Sequence, residues 1–211
     1  MIYMISVVTI TGRDLGFLPY QVAFLKSQTY QDFEWVFMDE IWKERHDQFQ
    51  SLVNGAFRLK HLKPEIIKSY HATGEDMNDA FLHCEGELIF FMADYILPHA
   101  DCLRRHWELY QKYPKAMISG RCLEVDFMPS ALNDMGKVFR GSDYRTGLFA
   151  HNIFKWTKIE DQLYEAYRDG VQNFWAGRND SAPLQAILNC NGFDQQYDGR
   201  HGYHDDDLAQ R

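Results

Sequence analysis

The chain has 211 residues, 45% of them hydrophobic and 25% charged, enough for one globular domain that buries roughly 70% of its unfolded surface. A net charge of −8 leaves no basic stripe to neutralise a phosphate backbone. That excludes nucleic acid as a partner, though not a single nucleotide held by a few donors and a metal ion. Cys84, Cys102, Cys122 and Cys190 are widely spaced and form no CxxC pair, which argues against a zinc site and for a reduced, cytoplasmic setting.

The first segment, MIYMISVVTITG, is apolar but lacks a basic leader region and a cleavage site, so it reads as a strand and not as a signal peptide. No run reaches the eighteen or so apolar residues of a membrane span, so any membrane contact is expected to be peripheral. The sequon at Asn179-Asp180-Ser181 matters only in a secreted protein.

Ile5 to Ile10 is a β-branched strand run, stopped by Thr11-Gly12-Arg13-Asp14. Leu18, Val22 and Leu25 fall at helical spacing, with Pro19 in a first turn where proline is tolerated. Phe33 to Met38 predicts a second buried strand, ended by Asp39-Glu40, and a polar helix follows from about Lys43 to Val53. Phe57 to Leu62 is a third strand. Met77, Ala80, Phe81 and Cys84 share one helix face, with Thr73 available as its cap. Glu87 to Met92 is a fourth strand, Leu103, Trp107 and Tyr110 mark another helix, and Ala116 to Ser119 starts a fifth strand. From Glu124 to Ala150 the pattern dissolves into Gly, Asp, Arg and Ser, an irregular excursion over the active face. A short helix is predicted from about Ser181 to Leu188.

Alternating strands and helices predict an α/β fold, an open, mostly parallel sheet with helices on both faces. With no repeats or linker, one domain over residues 1–211 is expected. Ligands of such sheets sit at the carboxyl ends of the strands. Here those ends carry Thr11, Gly12, Arg13 and Asp14, then Asp39 and Glu40, then Ala93, Asp94 and Tyr95. An acid after a strand is often only a turn former or a helix cap. Three acidic ends together fit a diphosphate ligand with a divalent ion, one carboxylate accepting from a base N–H and another holding the metal.

The tail NGFDQQYDGRHGYHDDDLAQR adds Asp205, Asp206 and Asp207. Adjacent carboxylates raise each other's pKa unless a cation, a helix N-terminus or a hydroxyl takes up the charge. They read either as a solvated turn capping a terminal helix or as a general base with a substrate-gripping neighbour.

Four passages together resemble family 2 glycosyltransferases of the GT-A fold. ISVVTITGRD resembles the first strand and turn. LKSQTYQDFEWVFMDE resembles the helix-to-strand passage ending in paired acids. GEDMNDAFLHCEGELIFFMADYILP resembles the approach to the DxD motif. FWAGRNDSAPLQAILNCNGFDQQYDGRHGYHDDDLAQR resembles the tail with N-x-S, GGFDE and ED-x-DL-x-x-R elements. The resemblance implies a nucleotide-sugar-binding half over about 1–123 and an acceptor half over about 124–211. It implies transfer from a nucleotide-sugar, with a UDP-sugar favoured, to a glycan, lipid-linked or other hydroxyl acceptor, as in polysaccharide biosynthesis. Thr11 and Arg13 would line the nucleotide pocket, Asp39 would accept from the base edge, and Asp94 would bind Mn²⁺ or Mg²⁺ on the diphosphate. Asp205 would be the general base of an inverting displacement. Trp175 and Tyr203 are placed either to stack on sugars or to pack under the last helix.

Two residues depart from the pattern. Met92 replaces the first acid of DxD and is a poor ligand for a hard cation. His204 stands where the family has Glu, and is a weak candidate metal ligand. Many relatives also continue past the point where this chain stops, so a compact enzyme and one domain of a longer protein both remain open. Two other functions stay in play: a nucleotide-sugar-binding module with little turnover, favoured by Met92, and a metal-dependent hydrolase built on His201, His204, Asp205 and Asp206.

Overall fold

The computed structural model describes residues 5–12, 17–65, 73–120, 177–199 and 203–211. Residues Met1–Cys122 with Phe174–Arg211 form one compact unit. A second unit, Leu123–Asn173, lies outside the described residues, as does the excursion expected over 124–150.

The strands are β1 (Ile5–Thr11), β2 (Phe33–Asp39), β3 (Arg58–Leu62), β4 (Leu88–Met92), β5 (Ile118–Ser119) and β6 (Asn179–Pro183). The helices are α1 (Leu18–Lys26), α2 (Trp42–Val53), α3 (Thr73–Leu82), α4 (Cys102–Lys112), α5 (Leu184–Asn189) and α6 (His204–Gln210). The six-stranded sheet has the order β3-β2-β1-β4-β6-β5. β1 pairs parallel with β2 and β4, and β2 pairs parallel with β3. β6 runs antiparallel to both β4 and β5.

Side-chain alternation along the central strands divides the core. Ile5, Val7, Phe33, Trp35, Phe37, Leu88, Phe90 and Met92 enter one layer with residues of α1, α2 and α4. Val8, Val36, Met38, Ile89 and Phe91 enter the other with residues of α3, α5 and α6. All seven residues of β2 and all five of β4 are buried, as continuous apolar runs in a doubly covered parallel sheet require. Both faces of β2 and β4 are thereby closed, and what these two strands can expose is at their ends.

The elements expected from periodicity are present with small shifts at their ends, but two expectations need correction. The helix expected from about Ser181 begins at Leu184, because Asn179–Pro183 is a strand. NDSAP has no apolar alternation, and its conformation comes from the ladders to β4 and β5. Thr73 opens α3 as a helical residue, and the capping comes from far away in sequence: the Asp198 carboxylate accepts from Gly74 N at 2.7 Å and Glu75 N at 3.1 Å.

Two buried glutamines on and just after α1 fix the loop that follows β4. Gln21 Nε2 donates to the carbonyls of Ala93 and Ile96 at 3.0 and 3.1 Å. Gln28 Nε2 donates to Pro98 O and His99 O, while its Oε1 accepts from Leu103 N at 3.1 Å. A buried amide that serves both a loop and the first turn of α4 leaves several groups unsatisfied when removed. The expected cost of Gln28→Ala is about 1–3 kcal/mol of stability, measured as a lower urea midpoint with unchanged slope.

Candidate active site at the strand ends

Connections from β1 run outward through β2 to β3, then cross back to β4 on the other side of β1. The switch point between β1 and β4 is where an open sheet of this kind makes its ligand crevice. Thr11 Oγ1 donates to Asp94 Oδ2 at 2.8 Å across this gap. One turn deeper, Thr9 Oγ1 donates to Met92 O at 2.7 Å and accepts from Trp35 Nε1 at 3.0 Å, which holds the two strand ends together from below. Thr11 is also the register partner of Asp39 on β2, so Asp39, Thr11 and Asp94 stand in a row along three neighbouring strand ends. Glu40 lies close by: a Cβ added to Gly12 would come within 2.6 Å of its carboxylate.

The row continues across β4. Met92 is the register partner of Asn179, and Phe91 that of Asp180, on β6. Asp180 is buried and accepts from Ser119 Oγ and from Arg178 N. The Asp205 carboxylate lies over Gly177, whose left-handed backbone and missing side chain make room: a Cβ there would meet Asp205 Oδ1 at 2.7 Å. Asp205 and Asp180 thus border the same short segment, Gly177 to Asp180. Burial, and after it the charge of Asp180, push the Asp205 carboxyl up to about 6.

The rest of the acidic tail has structural partners. His204 is buried, with Nε2 3.1 Å from Asp198 Oδ1, so it supports the residue that caps α3. Asp207 pairs with Arg211 one turn on, and Arg211 also donates to Cys190 O and Gly192 O. Leu208 is buried in the second apolar layer. Tyr203 precedes α6 with φ +74°, a left-handed backbone unusual for a bulky residue, and its ring is 67% exposed.

Asp39 is fully buried, and its carboxylate takes four hydrogen bonds. Oδ1 accepts from Ile41 N at 3.0 Å and Arg45 Nη2 at 2.8 Å. Oδ2 accepts from Arg45 Nε at 2.6 Å and His61 Nε2 at 2.8 Å. Burial opposes its ionisation, but the bonds from His61 and Arg45 and the guanidinium charge prevail and hold its carboxyl below the usual value.

The fit to a metal rests on Asp94. Met92 is buried in the first apolar layer, because it continues the strand alternation and its sulfur turns into the core. Among the described residues no three His, Cys, Asp or Glu side chains gather as a metal site. Mg²⁺ and similar hard ions carried on a substrate diphosphate need only one or two protein carboxylates, and Asp94 suits such an ion.

Arg13, Trp175 and His201 lie outside the described residues. Periodicity missed Asp180, because its strand carries no apolar alternation. The N-x-S element in the tail was the one signal that pointed there. Asp198, Gln21 and Gln28 were missed because their partners are remote in sequence.

These elements define a GT-A-type α/β fold, with a polar edge at the switch between β1 and β4. The chain is similar to residues 1–349 of TarS from S. aureus in complex with UDP-GlcNAc, with a TM-score of 0.62 and 12% identity over 98% of this chain and 52% of that one. It is similar as well to the mannosyltransferase PcManGT from Pyrobaculum calidifontis in complex with GDP-Man and Mn²⁺, with a TM-score of 0.60 and 13% identity over 98% of this chain and 51% of that one. The chain spans about half the length of these two structures, and at such identity what is shared is the fold. No family model and no curated protein matches it. Among the described residues no helix is long and apolar enough to cross a membrane.

The raised pKa of Asp205 has a thermodynamic consequence. Its folded-state value, about 6, lies above the ordinary 3.8, so protonation favours the folded chain. That stabilisation is complete below about pH 3.8 and is lost as pH rises through about 6. Asp205→Asn, which cannot ionise, is therefore expected to be more stable than the parent at pH 7.5, by roughly 1–3 kcal/mol. Thermal melts across pH 4 to 8 should show the difference shrinking towards the acid end.

Proposed function

We propose that the chain is a glycosyltransferase that moves a sugar from a nucleotide-sugar to a hydroxyl acceptor, with inversion at the anomeric carbon. The observation that carries this reading is Asp205. It is a half-buried carboxylate with a pKa pushed up to about 6, near the same sheet edge as the Thr11–Asp94 pair. A base needs a pKa near the working pH and a place beside the reacting hydroxyl. In this reading the acceptor oxygen forms its bond to the anomeric carbon as the bond from that carbon to the diphosphate breaks. The acceptor proton passes to Asp205. Thr11 and Asp94 lie on the diphosphate side, held in register by Thr9 and by Gln21. A divalent ion held by Asp94 would offset charge on the departing diphosphate.

A UDP-sugar is the favoured donor, since both UDP-GlcNAc and GDP-Man occur with this fold and the sequence resemblance favours uridine. The acceptor is a glycan, a lipid-linked glycan or another hydroxyl compound. The exposed ring of Tyr203, next to the base on the chain, suits the face of a sugar. Residues 1–211 are read as one GT-A-type domain, working in the cytoplasm with at most peripheral membrane contact. One observation favours a second reading, a binding module with little turnover: the first DxD position is a core methionine.

A panel of UDP-, GDP- and dTDP-sugars with Mn²⁺, examined by calorimetry and then by transfer and donor-hydrolysis assays, separates the two. The expected outcome is turnover that rises with pH through about 6. Asp205→Asn should lower it roughly 10²–10⁴-fold while donor affinity stays within about threefold. Asp94→Asn should instead weaken metal-dependent donor binding by about tenfold or more. Tight binding with no turnover, indifferent to Asp205→Asn, would establish the module.

A further inference from the structure

The structure assigns Asp39 a role other than reading the nucleobase: we propose that it is a positioning residue, which braces the donor side of the site through Arg45, His61 and the backbone of Ile41. This rests on the nucleotide-sugar reading for its consequence, but not for its geometry. An ionised carboxylate offers about four acceptor directions. Ile41 N, Arg45 Nη2, Arg45 Nε and His61 Nε2 take four, at 3.0, 2.8, 2.6 and 2.8 Å. Asp39 is fully buried and Arg45 is 8% exposed. A base N–H could bond to Asp39 only by displacing one of these donors, and displacing Arg45 would break two buried charge-assisted bonds, which costs more than one neutral hydrogen bond returns.

The donors come from three places: the turn after β2, helix α2 and strand β3. A second layer supports them. Burial lowers the His61 pKa below its ordinary value despite the pull of Asp39, so its ring is neutral. With Nε2–H given to Asp39, its Nδ1 must accept, and His46 Nδ1 donates to it at 3.1 Å. The His46 and His61 rings stack at 5.1 Å, and Trp42 lies on His46 at 4.2 Å while its Nε1 donates to His61 O at 2.9 Å. Asp39 therefore fastens α2 and β3 to the end of β2, whose register partner on β1 is Thr11, the donor to Asp94. What Asp39 contributes to a bound donor passes through Thr11 and Asp94, so it is the same for any base.

Two measurements on the full chain test this. Calorimetry with UDP and with GDP, each with Mn²⁺, compares the parent with Asp39→Asn and Arg45→Met. The expected result is that each variant loses affinity for both nucleotides by the same factor, within about twofold. Thermal melts of both single variants and of the double variant complete the test. Each single change should lower the Tm, and the double variant should melt no lower than the worse single one, because removing both charges leaves neither uncompensated. A loss at least about tenfold larger for UDP than for GDP in Asp39→Asn would overturn the proposal. So would additive Tm losses, or an unchanged Tm in Asp39→Asn. If Asp39→Asn does not fold, His61→Gln is measured in its place, and a uridine-selective loss there has the same force. If the parent binds neither nucleotide, the nucleotide-sugar reading fails while the melts still decide the brace.

Discussion

The hydrogen bond from Thr11 to Asp94 spans the switch between β1 and β4, and the polar edge of the protein is arranged around it. Its importance follows from the burial of the sheet. With β2 and β4 covered on both faces, neither layer can host a solvated charge, so functional polar groups are confined to where the strands stop. A sheet of this topology leaves a crevice only where adjacent strands send their connections in opposite directions. Thr9 secures the same two strands one step inside, and Gln21 ties the loop after β4 to α1. The Asp94 carboxylate is thus presented by a strand, a threonine ladder and a helix together.

Much of this was legible in the chain. The β-branched and aromatic runs at Ile5–Ile10, Phe33–Met38 and Leu88–Met92 could hardly be anything but buried strands, and strand ends place Thr11, Asp39 and Asp94 by rule. What escaped was of two kinds. β6 was invisible because a five-residue strand of Asn, Asp, Ser, Ala and Pro has no periodicity, and only its ladders to β4 and β5 make it a strand. Polar partnerships were invisible because sequence shows which side chains can donate or accept but not which will meet. Asp198 reaches Gly74 across 124 residues, and Gln28 reaches His99 across 71. Met92 sits between these cases. The substitution was plain, but its meaning came only from the pleat, which turns that position into the apolar layer with Phe90.

The acids along this edge differ less in kind than in what surrounds them. Asp39 is saturated by a guanidinium and an imidazole. Asp198 is spent on helix amides and His204, and Asp207 on Arg211. Asp94 accepts from a threonine hydroxyl, which orients the carboxylate across the switch between β1 and β4. Asp205 has burial and the like charge of Asp180 against it. Residue type alone would have ranked these carboxylates as equals, and the sequence HDDDL would have ranked its three as a unit. Their neighbours divide them, with Asp39, Asp198 and Asp207 as anchors and Asp205 as the carboxyl pushed towards neutrality.

That division bears on the proposal that Asp205, and not Asp206 or Asp207, is the base. All three stand in the first turn of α6. Asp206 is exposed to solvent, and Asp207 pairs with Arg211 one turn later. Asp205 alone of the three is set against Gly177, where a side chain would have displaced it, and beside a buried carboxylate that it cannot escape. A residue so placed lowers the stability of the ionised fold, and a sequence selected for stability alone would replace it with asparagine. The two effects have one cause: the burial that brings the carboxyl near the pH at which a base must work is the same burial that opposes its ionised form in the fold.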